Sequence, residues 1–159
     1  FFVSHTQRSG RATTLATKLF GSLKEVWLDV EMNDKSEAAM KEGVLGSEAV
    51  LAVITDEGIE GSAYFDRPYC VQELRWAAEA GVFIQPVIAV EDKPRIGELL
   101  SKAPPDLKEL LSSTDFIHLD RGDRMYWDVG MEKVRKVLSD RRAKAHPHAP
   151  SPRHAAVPS

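Results

Sequence analysis

Residues Ala49–Thr55 read AVLAVIT, an apolar run with no polar side chain before its last position. A continuous run of this kind, as opposed to an alternating one, predicts a strand buried on both faces, as in a parallel sheet with helices above and below it. Immediately before it, Ser36 with Glu37 opens a helix over Ser36–Leu45, and Gly46 is placed to stop it. Further upstream come the strand candidate Val26–Asp29 (VWLD), a polar loop over Glu31–Lys35, a helix over Arg11–Leu23 and a first strand, Phe1–Ser4 (FFVS). The Arg11–Leu23 helix shows Leu15, Leu19, Phe20 and Leu23 at helical spacing. Downstream, a long connection over Asp56–Asp66 leads into a helix from Pro68 that Gly81 ends. Val82–Val90 (VFIQPVIAV) is another strand, and Pro86 predicts an interruption or an edge position for it. Pro94–Leu111 reads as loop and broken helix around Pro104 and Pro105, Phe116–Leu119 as a weak fifth strand, and Tyr126–Leu138 as a last helix. Strands alternating with helices at this spacing predict a parallel sheet with helices on both faces.

The chain of 159 residues is the size of one domain with a single core. Its formal net charge of −3 is spread along the sequence, which gives no electrostatic footprint for nucleic acid or an anionic membrane. One cysteine excludes an internal disulfide framework and a cysteine-based zinc cluster, in keeping with a reducing, cytoplasmic setting. No apolar run approaches the roughly 20 residues of a membrane span. The chain opens at Phe1 directly on an apolar run, and the expectation is a module of a longer protein. The domain is expected over residues 1–140. Residues 141–159 are expected to be a disordered tail or linker, because HPHAPSPRHAAVPS is rich in Pro and His and has almost no large apolar residue to bury. Its His residues are interleaved with Pro and have no second ligand cluster, so no metal site is expected.

One helix holds an oddly placed residue. In RPYCVQELRW, Arg67–Trp76, winding at 100° per residue puts Cys70, Val71, Leu74, Ala77 and Ala78 on one side and Gln72, Arg75 and Glu79 opposite. Glu73 falls on the border between them, with Tyr69 a turn before and Trp76 and Ala77 a turn after. A border carboxylate among aromatics is a candidate for a perturbed, functional group, against the plainer role of pairing with an Arg at the helix edge. There is no GxGxxG after the first strand, no GxxxxGK followed by Ser or Thr, and no GxSxG elbow, which excludes a dinucleotide fingerprint, a P-loop and a hydrolase serine. Cys70 lies on the core side of its helix and reads as a packing residue rather than a nucleophile.

In order and spacing, FFVSH, VWLDVE, SEAAMKEGVLGSEAVLAVIT and RPYCVQEL resemble a TIR domain, the Toll/interleukin-1 receptor module. The resemblance covers residues 1–138, more loosely in DFIHLDRGDRMYWDVGMEKVRKVL. It implies a flavodoxin-like three-layer α/β fold with a five-stranded parallel sheet. It also implies one of two functions: self-association as a signalling module, or cleavage of NAD to nicotinamide and ADP-ribose or a cyclic form of it, as a signalling or defence output. NAD is then the substrate, no cofactor or metal is needed, and other TIR domains are the partners. The family's essential Glu corresponds to Glu73, where a carboxylate can stabilise oxocarbenium character on the ribose and accept its hydroxyl hydrogen bonds. Tyr69 corresponds to an aromatic that stacks on the substrate. In His5-Thr6-Gln7-Arg8-Ser9-Gly10, Arg8 and Ser9 correspond to the loop that reaches the pyrophosphate, although an exposed loop Arg is an equal reading of Arg8. Asp29 matches an acidic residue at a strand end, with capping of the loop backbone as its other use. Trp27 is expected in the core. A non-catalytic assembly module stays open beside the hydrolase, since the Glu31–Lys35 loop is short and lacks the usual Pro or Gly. A receiver or a nucleoside deoxyribosyltransferase shares the sheet by analogy only, and FFVSH offers no acidic pair for a receiver.

Overall fold

The computed structural model describes residues 1–23, 36–145 and 147. In it four parallel strands, β1 (Phe2–His5), β2 (Ala49–Val53), β3 (Phe83–Ala89) and β4 (Ile117–Leu119), form one sheet in the order β1-β2-β3-β4. The register runs Val3↔Leu51, Leu51↔Gln85 and Val87↔Ile117. The expected strand Val26–Asp29, the loop Glu31–Lys35 and Trp27 lie outside the described residues, so four of the five expected strands are observed. Six helices surround the sheet: α1 (Gly10–Leu23), α2 (Glu37–Leu45), α3 (Pro68–Glu79), α4 (Ile96–Ser101), α5 (Pro105–Ser112) and α6 (Arg124–Ala145). The architecture is α/β with a parallel sheet, in keeping with a flavodoxin-like fold.

The run AVLAVIT behaves as its composition requires. Every residue from Ala49 to Ile54 is fully buried. Side chains alternate across the sheet. Ala49, Leu51 and Val53 therefore pack with Leu15 and Leu19 of α1 and with Met131 and Val134 of α6. Val50, Ala52 and Ile54 pack on the other face with Val44 of α2, Leu74 and Ala77 of α3 and Leu107 of α5. Local signals set the helix ends. Ser36 caps α2 by accepting from the Ala39 N–H at 3.2 Å, and Gly46 closes it. Gly81, with φ of +72°, turns the chain from α3 into β3 in a conformation a side chain would strain. The last helix runs past the expected end at Leu138 to Ala145. Among the described residues no helix is long and apolar enough to cross a membrane.

Pro86 departs from expectation: β3 is neither interrupted nor at an edge, for it lies between β2 and β4. The reason is geometric. The Ile54 N–H donates to the Val87 carbonyl at 3.0 Å, so the backbone groups of Val87 face β2 and those of Pro86 face the β4 side. Pairing with β4 begins only at Val87↔Ile117, so the donor that proline lacks points where no ladder partner exists. Gln85 bridges the gap. Its buried Nε2 donates to the Pro86 carbonyl at 2.9 Å and to the Asp115 carbonyl at 2.8 Å, using both amide protons. Gln85→Leu is expected to cost about 1–3 kcal/mol by removing the buried amide's two donations, to the Pro86 and Asp115 carbonyls, as read by urea denaturation.

Gly130 of α6 has a different purpose. A Cβ there would stand 2.5 Å from Leu119 Cδ2 and 2.9 Å from the His118 carbonyl oxygen, so the absence of a side chain is what lets α6 lie directly on β4. Gly130→Ala gains up to ~1 kcal/mol of helix propensity. Overpacking against backbone costs about 1–3 kcal/mol and outweighs it, so a fall in thermal midpoint is expected.

Candidate active site

In open α/β sheets, ligands settle outside the carboxyl ends of the strands, where successive crossovers leave to opposite faces. Here α1, which follows β1, packs with one face of the sheet, and α3, which follows β2, packs with the other. The switch therefore lies between the neighbouring strands β1 and β2. A buried polar cluster sits beside it.

Four side chains build the cluster. Ser4 comes from the C-terminal half of β1, Tyr64 from the short 3-10 turn Tyr64–Asp66, and Cys70 and Glu73 from α3. Alternation puts Ser4 on the same face as Phe2, toward α3, where an apolar residue would be the rule. The Ser4 and Tyr64 hydroxyls share a hydrogen bond of 2.5 Å. The Cys70 thiol donates to the His5 carbonyl at 3.5 Å. Glu73 is only 7% exposed, and among the described residues its Oε2 has no hydrogen-bond partner.

The electrostatics single out one member. Burial pushes Glu73 up to about 7, with the Ser4 hydroxyl acting in the opposite direction. Burial, helped by the Glu73 charge, pushes Cys70 up to about 12. Tyr64 is raised well above its ordinary value, chiefly by burial. Glu73 is thus the member of the cluster that changes charge near neutral pH, while the thiol and the phenol stay protonated. A buried carboxylate with a spare oxygen is suited to stabilising positive charge on a bound molecule.

A second cluster covers the carboxyl ends of β2 and β3. Asp56 and Asp92 are each 1% exposed. Arg95 Nη1 meets Asp92 Oδ1 at 2.9 Å and its Nη2 meets Asp56 Oδ1 at 3.2 Å. Arg11 Nη1 meets Asp92 Oδ1 at 2.8 Å and the Asp56 carbonyl at 3.1 Å. Thr55 Oγ1 donates to Asp92 Oδ2, and the Gly58 N–H to Asp56 Oδ1 at 2.7 Å. Two buried carboxylates and two guanidiniums balance, and the Asp92 hydrogen bonds hold Arg95 firmly charged.

The residues expected at the site are only partly brought together. Glu73 is one of the buried residues of α3. Tyr69 is 54% exposed, one turn earlier on α3. Arg8 is exposed. Ser9 is buried and caps α1, accepting from the Ala12 N–H at 3.2 Å. The cation of this segment that reaches the strand ends is Arg11. Asp29 lies outside the described residues. Among the described residues no group of His, Cys, Asp and Glu has a metal-binding arrangement. Sequence reasoning missed Ser4 and Tyr64, although a serine on the core face of a strand was a usable signal. No protein-family model matches the chain, and no curated protein matches it.

Proposed function

We propose that the chain is a TIR-type domain that hydrolyses NAD, with Glu73 as the catalytic carboxylate. The observation that carries the reading is the buried Glu73 at the β1–β2 switch, with Oε2 unpartnered among the described residues and ionisation near neutrality. The bond from ribose C1′ to the nicotinamide nitrogen breaks, and nicotinamide leaves with the electron pair. The ionised carboxylate stabilises the oxocarbenium-like sugar and accepts its hydroxyl hydrogen bonds. Water then adds at C1′ and releases a proton, giving ADP-ribose; attack by an adenine nitrogen gives the cyclic product. Tyr69, exposed one turn before Glu73 on α3, stacks on the substrate. A cytoplasmic signalling or defence role, gated by self-association, completes the proposal. Incubation of the purified protein with NAD, with a crowding agent to promote assembly, should release nicotinamide detectable by chromatography. Its complete absence at high protein concentration overturns the reading.

The non-catalytic assembly module is favoured by a different feature. Met125, Tyr126 and Val129 stand exposed on the face of α6 opposite its buried Trp127, Met131 and Val134. Concentration-dependent association without nicotinamide release would select that alternative.

A further inference from the structure

The two carboxylate oxygens of Asp56, a residue only 1% exposed, are held unequally. Oδ1 accepts from Arg95 Nη2 at 3.2 Å and from the Gly58 N–H at 2.7 Å, whereas Oδ2 has no hydrogen-bond partner among the described residues. A buried acceptor without a donor destabilises the arrangement that buries it. Asp56 opens the connection from β2 to α3, and that connection spans the β1–β2 switch. Its near end is fastened by Glu57, whose Oε1 accepts from the Arg11 N–H at 2.6 Å. Its far end is fastened to the β1 side, where Thr6 Oγ1 donates to the Ser62 carbonyl at 2.9 Å and Tyr64 shares its hydrogen bond with Ser4. Between these fastenings Gly58 and Gly61 have φ of +78° and +77°, and Gly58, Ile59 and Glu60 are exposed. Gly58 is at once exposed and the donor to Asp56, so a single turn of backbone separates the buried carboxylate from solvent.

We propose that Asp56 is a ligand-binding carboxylate: the turn at residues 58–61 swings aside, and Oδ2 accepts a hydroxyl of a bound sugar. The inference rests on the reading of the β1–β2 switch as a dinucleotide site, but not on cleavage there. Charge decides the class of ligand. Arg95 contacts the carboxylate, and Arg95 and Arg11 both donate to the Asp56 carbonyl, at 3.0 and 3.1 Å. A metal ion or an ammonium at Oδ2 would be set against two guanidiniums. A neutral hydroxyl meets no such opposition, and its hydrogen bond to an ionised acceptor is of the stronger kind. A dinucleotide has two riboses, so further hydroxyls remain for Glu73, whose Oε2 is likewise unpartnered among the described residues. With a hydroxyl on Oδ2 the turn closes over a satisfied carboxylate, so ligand binding and closure favour each other.

The experiment measures binding of ADP-ribose, and of analogues each lacking one ribose hydroxyl, to the full chain by titration calorimetry. The wild type is expected to bind one analogue about tenfold less tightly than ADP-ribose, the loss of one hydroxyl-to-carboxylate bond. Asp56→Asn should abolish that preference: Arg95 and the Gly58 N–H retain its oxygen, and an NH2 group, which donates and does not accept, takes the place of Oδ2. Glu73→Gln should keep the preference, and so should Asp92→Asn, which loosens the same arginines without altering Asp56. Should Asp56→Asn not fold, the double variant with Arg95→Met takes its place. Amide exchange at Gly58 gives a reading on the wild type itself, since saturating ADP-ribose should slow it about tenfold by holding the turn closed. No binding of ADP-ribose, equal affinity of the wild type for every analogue, a preference that survives Asp56→Asn, or unchanged exchange at Gly58 overturns the proposal. Nicotinamide release without the preference overturns this proposal alone, and the preference without nicotinamide release overturns the hydrolase reading alone.

Discussion

Glu73→Gln is expected to lower nicotinamide release by about a hundredfold to a thousandfold, the usual loss when one preorganised electrostatic group is removed from a developing charge. Gln keeps the shape and the capacity for hydrogen bonding but not the negative charge, so the loss falls on kcat more than on KM. The wild-type rate should rise with pH and level off above about 7, because the ionised form does the work and burial places its ionisation there. Stability must run in the opposite direction. The folded carboxyl binds its proton up to about 7, against an ordinary value of 4.5, so between those limits the folded state holds more protons than the unfolded one. Stability is therefore full below about 4.5 and is lost as pH rises through 7, by about 3 kcal/mol in all. Glu73→Gln should flatten this dependence. Urea denaturation at pH 5 and pH 8, beside nicotinamide assays on the same preparations, checks both halves; equal activity of variant and wild type removes Glu73 from the mechanism.

Arg95→Met should cost about 3 kcal/mol, at the low end for a broken buried ion pair because Arg11 remains on Asp92. Asp56 is the exposed weakness of that variant in energy though not in area: Arg11 binds its backbone carbonyl, so without Arg95 its carboxylate keeps only the Gly58 N–H. The penalty should persist at high salt, since counterions do not screen a buried charge well. Asp56→Asn combined with Arg95→Met should recover part of the loss, giving a measurable coupling between the two sites. Lys136→Met is the control. It breaks the exposed pair to Asp140 at 3.2 Å and should change stability by no more than about 0.5 kcal/mol. A loss below about 1 kcal/mol for Arg95→Met would show that the network is surface decoration.

The elements were legible in the sequence because their causes are local. AVLAVIT had nothing to show water, Ser36 and Gly46 bracket α2, Pro68 and Gly81 bracket α3, and each signal acts within a few residues of itself. Pro86 was misjudged for the same reason. Whether a missing N–H matters depends on which neighbour it faces and where that neighbour's ladder starts, and both are properties of the assembled sheet. Ser9 was legible as a polar residue at the end of a loop, but its engagement in capping α1 needed the helix start to be fixed at Gly10.

By itself, then, the sequence determined the parallel α/β architecture, the burial of β2 on both of its faces and the presence of a carboxylate on α3 that did not belong to either helix face. Only the tertiary structure decided that this carboxylate is buried, that Ser4 and Tyr64 lie against each other beside it across a separation of 60 residues, and that Arg11, Asp56, Asp92 and Arg95 close into one network. Periodicity is written into neighbouring residues by the geometry of a helix or a strand. A site is formed by residues that share no segment, and they meet only when strand pairing and helix packing, driven by burial of the whole core, bring their segments together.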